Sequence, residues 1–350
     1  MNRTISSKSP SPTPSSSSTC PPVVKKSAKS NTAHILQKHG LTNAKKMGHS
    51  LQGSVWSAQD AKHNQYVVKV TSKALHEASM IRLNGKLYAV QEDIKKEAEI
   101  MQYVTMRSDA PRSIAKFVHF FETDKNYYLV MEHGGTSLFE FVCKAHKLIQ
   151  SNNLDIAEWH RCVKVIFRQL IESVRYLHSL NVSHFDLSLE NTVINDVAIS
   201  EDPQTKRIRF HLDSIQIKVI DFGLAEYFGH DQKHEDERSF LSTKYVGKEV
   251  YKSPEVVSKR TAFNAKANDI FCCGVCLFMM VVGSAPWRKA SVHEASFVEI
   301  INHKLINLIH GWDRLNYVTV EVVNLMSRIL RYEQDRLSVD AILKHPWMNK

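Results

Sequence analysis

Acidic residues are missing from the start of this chain. The 350 residues include 36 Asp or Glu, yet the first of them is Asp60. Residues 1–46 hold eight Lys or Arg (Arg3, Lys8, Lys25, Lys26, Lys29, Lys38, Lys45, Lys46), so most of the formal charge of +10 belongs to that stretch. An excess confined to a tail is weak ground for a nucleic-acid surface, and the aromatics that such surfaces interleave with basic residues are absent there. Cysteine is scarce too. The six (Cys20, Cys143, Cys162, Cys272, Cys273, Cys276) form no two Cys-x-x-Cys motifs at zinc spacing and no secreted disulfide framework. Cys272, Cys273 and Cys276 fall in an apolar run and read as small buried hydrophobes. That run, Ile270 to Gly283, is the longest in the chain at 14 residues, short of the roughly 20 that a bilayer crossing takes. No N-terminal hydrophobic core marks a secretory signal, and a transit peptide would call for Arg-rich helices where Lys and Pro dominate. These absences point to a reduced, intracellular setting, cytoplasmic or nuclear, without a membrane partner.

What is present suits a folded body behind a tail. Charged residues at 23% and hydrophobics at 43% are ordinary for a soluble globular protein, and the length suits one bilobal domain or two ordinary ones. Sixteen of residues 1–22 are Ser, Thr or Pro, a composition that cannot bury enough apolar surface to fold. A disordered tail is expected over 1–43 and a folded domain over 44–349.

Two stretches carry the chemistry. In His184-Phe185-Asp186-Leu187-Ser188-Leu189-Glu190-Asn191 an acid stands two residues after a His, and an Asn five residues after the acid. Further on, Ile217-Lys218-Val219-Ile220 runs into Asp221-Phe222-Gly223. Phosphoryl transfer asks for such a set: a base beside the acceptor hydroxyl, and oxygen ligands for Mg²⁺ on the other side of the phosphate. Asp-Phe-Gly alone is common turn material; the ordered pair of stretches is what carries weight. Together they resemble the catalytic loop and metal-binding turn of the protein-kinase family. The resemblance implies Asp186 as base, Asn191 and Asp221 as metal ligands, ATP and Mg²⁺ as cofactors, and proteins as substrates.

The resemblance extends along the chain. Gly48-His49-Ser50-Leu51-Gln52-Gly53-Ser54-Val55 is similar to the family's Gly-rich loop with Ser50 in place of its second Gly; small residues let backbone amides approach phosphates. Lys69, in Tyr66-Val67-Val68-Lys69-Val70, fits either the family's strand lysine or the solvent face of an edge strand. Val90, Ile94, Met101 and Val104 recur at helical spacing, and Glu97 falls on their stripe while Glu99 faces away. An acid on an inward face calls for a partner, and the resemblance supplies Lys69. Tyr127 to Glu132, followed by His133-Gly134-Gly135, is similar to the hinge, with Met131 behind the adenine and the backbone of Glu132 and Gly134 along its edge. Gly48, Gly53, Val55, Val67, Lys69, Met131, Glu132, Gly134 and Val193 are thus the implied nucleotide contacts, though the valines are equally explained as core. Helices are expected over 137–148 and 158–180, and an elongated hairpin over 195–217 that delivers Asp221.

Three departures stand out. Phe185 occupies the place where many members carry Arg, so an Arg–phosphate lock cannot form there; Ser239, Ser242, Thr243 and Tyr245 remain as acceptors, and activity without their phosphorylation is expected. Ser188 stands where the family's Ser/Thr branch has Lys, and Lys248 where it has Thr. An exchange of hydroxyl and ammonium would keep the local charge; the alternative is two separate losses in a decaying enzyme. Toward the C-terminus, Asp269 is expected in the first turn of the apolar helix Ile270 to Phe278, tying down the catalytic loop, and Arg336 is expected to pair with Glu255.

The implied fold is α+β and bilobal: a small, mostly β N-lobe (44–132) with one regulatory helix, and a larger, mostly α C-lobe (133–349). The implied activity is Mg²⁺- and ATP-dependent transfer to Ser/Thr hydroxyls by a monomer, with Lys69, Glu97, Asp186, Ser188 and Lys248 in the catalytic set. The competing class is a pseudokinase scaffold that binds partners without efficient catalysis. Ser9-Pro10, Ser11-Pro12 and Thr13-Pro14 match acceptor sites of a proline-directed kinase, but any Ser/Pro-rich tail yields such dipeptides.

Overall fold

The computed structural model describes residues 31–78, 80–83, 86–89, 91–229, 240–258 and 262–349. The Ser-Pro dipeptides, Val90 and Ser239 lie outside the described residues.

Order begins earlier than the expected boundary. Helix α1 (Asn31–Lys38) buries Leu36 completely in a small core with Leu41, Trp56, Val68, Tyr128 and Val130. Just after it, the His39 ring stacks on Phe121 at 3.6 Å. Residues 31–43 are therefore part of the folded body and not of the tail. The composition that argues for disorder belongs to residues 1–22; Leu36, Leu41 and the His39 ring dock this short piece.

The N-lobe is a five-stranded antiparallel sheet. Its strands are β1 (Thr42–Ser50), β2 (Gly53–Gln59), β3 (Gln65–Ser72), β4 (Phe117–Glu122) and β5 (Asn126–Glu132), in the order β1-β2-β3-β5-β4. Val55, Lys69 and Leu129 lie opposite one another across β2, β3 and β5. So β3 is the central strand, which removes the edge-strand reading of Lys69. Gly53, at the start of β2, lies so close to β3 that a Cβ there would be 1.9 Å from the Val70 carbonyl oxygen. Between β3 and β4 runs helix α2 (Ile94–Thr105), capped by the Asp93 carboxylate, which accepts from the Lys95 and Lys96 amides. Its buried face is Ile94, Glu97, Ala98, Met101 and Val104, with Glu99 exposed.

The C-lobe is helical. Helices α3 (Leu138–Gln150) and α4 (Ile156–Ser179) come close to their expected spans. Two short strands, β6 (Thr192–Ile194) and β9 (Ile217–Val219), pair antiparallel and lead into Asp221. The single elongated hairpin expected here is instead two ladders. The intervening residues form their own pair, β7 (Ile199–Glu201) with β8 (Ile208–Phe210), pinned where the Phe210 amide donates to Glu158 of α4 at 2.8 Å.

Helix α5 (Ala265–Val282) is the axis of the lobe. It starts at Asn264, whose side chain accepts from the Ala267 amide, so Asp269 lies in the second turn and not the first. Its 18 residues exceed the 14-residue apolar run and are apolar enough to cross a membrane by length and composition, but 89% of that window is buried inside the protein. Gly283 ends it in the left-handed region at φ 82°, where a side chain would strike the His146 ring.

Candidate active site

Asp269 organises the loop that carries Asp186. One carboxylate oxygen accepts from the His184 amide at 2.9 Å and the other from the Phe185 amide at 2.9 Å, and His178 Nε2 lies 3.1 Å away. These bonds hold Phe185 at φ 66°, a left-handed conformation costing about 1–3 kcal/mol for a non-glycine residue. Its ring is buried against Val256, Phe263 and Ala265, with Phe228 and Tyr245 packed alongside. An apolar knot therefore stands where a phosphate-gripping arginine was looked for.

That strained turn presents Asp186 to three groups. Asn191 Nδ2 donates to its Oδ2 at 2.6 Å and to its backbone oxygen at 2.9 Å, which fixes the Asn191 side chain. Lys248 contributes twice: its amide lies 3.2 Å from Oδ1, and its Nζ lies 2.8 Å from Oδ2 and 3.0 Å from Ser188 Oγ. Gly247 makes this approach feasible. At φ 89° it packs so closely that a Cβ would sit 2.8 Å from the Phe185 carbonyl oxygen. The Ser188 hydroxyl in turn accepts from the Asn191 amide at 3.1 Å. Ser188 and Lys248, 60 residues apart in sequence, thus share one hydrogen bond beside Asp186.

Across the cleft, Lys69 Nζ meets Glu97 at 2.9 Å, Asp221 at 3.0 Å and Glu92 at 2.9 Å. Burial works against the Lys69 ammonium, but Asp221, Glu97 and Glu92 outweigh it and hold its pKa well above the ordinary lysine value. Burial pushes the Glu97 carboxyl up to about 7 against the pull of Lys69, and its second oxygen, Oε1, is buried without a partner among the described residues. Asp221 also loses hydration, yet Lys69 keeps its pKa below the usual carboxylate value. Like Phe185, Asp221 sits in the left-handed region, at φ 65°.

Glu92 was missed in the sequence, and no periodic signal could have found it. It precedes α2 by two residues, off the helical stripe, and joins the cluster only through tertiary folding.

Some of the expected nucleotide contacts adjoin one another. Val55 and Val67 lie on β2 and β3, and Val67 pairs with Met131 of β5. Gly134 packs under Val193, whose methyl would lie 2.3 Å from an added Cβ. Gly48 differs from Gly53 in that an added Cβ would meet no protein atom within 4 Å, so the protein's own packing does not require glycine there. The Glu132 amide bonds the Lys116 carbonyl, and its carboxylate pairs with Lys218 at 3.0 Å. Glu132 therefore has only its carbonyl to offer a ligand.

Among the described residues no group of three or more His, Cys, Asp or Glu could hold a metal ion alone. Asn191 and Asp221 carry oxygen donors of the kind that suits Mg²⁺, a cation that takes one or two protein ligands and shares the rest with phosphates and water. Away from the cleft, Arg336 Nη2 lies 3.0 Å from both carboxylate oxygens of Glu255, with both side chains almost wholly buried.

A family model described as Protein kinase domain matches residues 41–348. The chain is 27% identical to the serine/threonine-protein kinase SRK2F of Arabidopsis thaliana over 275 residues, covering 77% of this chain and 68% of that protein. It is 28% identical to the abscisic acid-inducible protein kinase of Triticum aestivum over 256 residues, 73% of this chain and 65% of the relative. Against the serine/threonine-protein kinase SAPK2 of Oryza sativa subsp. indica the figures are 27% over 283 residues, 80% and 70%. The chain thus spans about two thirds of the length of the curated relatives it matches.

Proposed function

The chain belongs to the protein kinase family, and we propose that it catalyses Mg²⁺-dependent transfer of the γ-phosphate of ATP to Ser or Thr hydroxyls of proteins. The observation that carries this reading is the environment of Asp186: a carboxylate fixed by Asn191 and flanked by the Lys248 ammonium at 2.8 Å. When bound, ATP supplies the transferable phosphoryl group and Mg²⁺ neutralises the charge on it. Asn191 and Asp221 would hold the metal, and Lys69 would hold phosphate oxygens. Val55, Val67 and Val193 would enclose the base beside Met131, with the Glu132 carbonyl and Gly134 amide along its edge.

Asp186 orients the acceptor hydroxyl and takes its proton at a carboxylate oxygen. With Ser188 in the loop, positive charge beside the reacting groups comes from Lys248. A preorganised ammonium at a point of developing negative charge is worth about 10²–10³ in rate. The Ser188–Lys248 contact supports exchange of the two groups over independent decay, because unrelated losses would have no reason to restore an ammonium at bonding distance. Glu190, exposed and bonded by the Tyr251 hydroxyl at 3.1 Å, offers a carboxylate to basic residues near the acceptor.

Ser/Thr specificity rests on the named relatives, which are Ser/Thr kinases. The test measures phosphate transfer from ATP by wild type and by Asp186→Asn, with phosphoamino-acid analysis of the product. Transfer abolished by the substitution supports an enzyme. A folded, ATP-binding wild type that transfers nothing would leave the scaffold reading instead.

A further inference from the structure

Three carboxylates surround one ammonium at Lys69, and the family pattern uses only two of them. A lysine ammonium has three N–H donors and no more. Glu92, Glu97 and Asp221, at 2.9, 2.9 and 3.0 Å, occupy all three. Glu97 is sealed in the interior, its side chain fully buried. Asp221 is the proposed cation ligand. Glu92 has neither constraint; its side chain is 27% exposed, and it stands ahead of the helix.

The position of Glu92 is nonetheless built. Gln52, a buried residue in the turn between β1 and β2, donates from Nε2 to the Glu92 backbone oxygen at 2.9 Å. On the other side, Glu92 Cγ packs against Gly223, where an added Cβ would lie 3.1 Å away. Glu92 is therefore held between the Gly-rich turn and the Asp-Phe-Gly turn, with its carboxylate on Lys69. Three carboxylates face one ammonium at a place that, on the reading above, must accept phosphate. A phosphate oxygen approaching Lys69 meets no unused donor, and it meets net repulsion.

We propose that Glu92 is a resident competitor of the nucleotide phosphates: its carboxylate occupies the Lys69 donor that a phosphate oxygen needs, and must swing away for phosphate to bind. The Glu92 side chain thereby sets a threshold for nucleotide affinity while leaving the Lys69–Glu97 pair intact. This rests on the ATP reading of the cleft, so the test separates the two.

Binding of Mg²⁺–ADP and of adenosine to the full chain is measured by calorimetry, for wild type, Glu92→Gln, Glu92→Asp and the exposed control Glu99→Gln. Glu92→Gln should tighten ADP by about 3- to 10-fold, as expected for one carboxylate removed from a partly exposed contact, and leave adenosine within about twofold. Glu92→Asp, retracted by one methylene, should move ADP the same way by less, and gives the answer if the Gln variant does not fold. Glu99→Gln carries the same change in net charge and should shift neither ligand. Wild type that binds no ADP overturns the nucleotide reading itself. Wild type that binds ADP while Glu92→Gln binds it equally or more weakly overturns the competitor, because a residue that merely positions Lys69 would lose affinity on removal. An equal gain for adenosine also overturns it, since adenosine has no phosphate to compete.

Discussion

Lys69 and Lys248 bring the two ammonium groups of the site, and they are held in opposite ways. Lys69 lies in the central strand of the sheet, buried, with three carboxylates on its Nζ. Lys248 follows a left-handed glycine, has a side chain 36% exposed, and contacts one carboxylate and one hydroxyl. The first is a charge the fold is built around; the second is a charge delivered to the site by a loop. Removing Lys69 strips three carboxylates of the cation they share and so strikes folding and chemistry together. Removing Lys248 leaves Asp186 still bonded by Asn191, so it strikes chemistry alone.

The largest effect expected follows from this contrast. Lys69→Ala should lower kcat/KM by about 10³ or more and also lower Tm, whereas Lys248→Ala should cost about 10²–10³ with Tm nearly unchanged. Exchanging the pair sharpens the test. In Ser188→Lys combined with Lys248→Thr, activity should recover at least about tenfold over either single variant, because the ammonium returns to the same neighbourhood. Additive losses in the double variant, or a Lys248→Ala loss no greater than that of an exposed change such as Thr243→Ala, would sink the exchange.

The contrast also explains what could be read from the sequence. Lys69 was legible because a helical stripe with Glu97 on its inner face called for a partner, and the family resemblance supplied this strand lysine. The strand order, which decides between centre and edge, was not local information and came only with the pairing of β3 to β5. Lys248 was legible only as a departure from a family pattern, since nothing in its own neighbourhood marks it as catalytic. Glu92 and Gln52 were illegible because their link runs from a hairpin turn to a helix entry 40 residues away, with no repeat to betray it. The docking of α1 was missed for a related reason: its anchors are a few residues around Leu36 and Leu41, and a compositional argument averages them away.

A smaller effect follows from the depth of the Lys69 cluster. Burial raises Glu97 from 4.5 to about 7, so the folded protein binds a proton that the unfolded chain has already released over that window. Stability from this group is complete below about pH 4.5 and is lost as pH rises through about 7. Asp221 has the opposite sign, but its pKa lies below the ordinary carboxylate value and it acts in a more acid range. Tm measured from about pH 5 to 8 should therefore decline more in wild type than in Glu97→Gln, which has no proton to lose. Parallel profiles would show that Glu97 stays ionised throughout.

The smallest effect expected concerns the segment that delivers Lys248. If a phosphate were needed to order it, the ammonium would reach Asp186 only after modification. What holds it is apolar and ionic contact already in place. Phe185 is packed with Val256, Phe263 and Tyr245, Lys244 lies over the Phe185 ring at 5.7 Å, and Lys244 pairs with Glu226 at 3.0 Å. Ser242 is nearly buried, in a two-residue ladder with Phe263 and Asn264, where a phosphate would have to leave water. Replacing Ser242 or Thr243 by Ala should therefore change kcat by less than about twofold, Thr243 as an ordinary surface substitution and Ser242 through loss of its bond from the Lys244 amide alone. Phosphatase treatment should do no more. Phe185→Arg supplies the missing phosphate grip at the expense of the apolar knot, and it should lower the activity of unmodified protein. A dead Thr243→Ala, or wild type silenced by phosphatase, would mean that Lys248 is positioned by phosphorylation after all, and that the apolar knot only fills the space an arginine vacated.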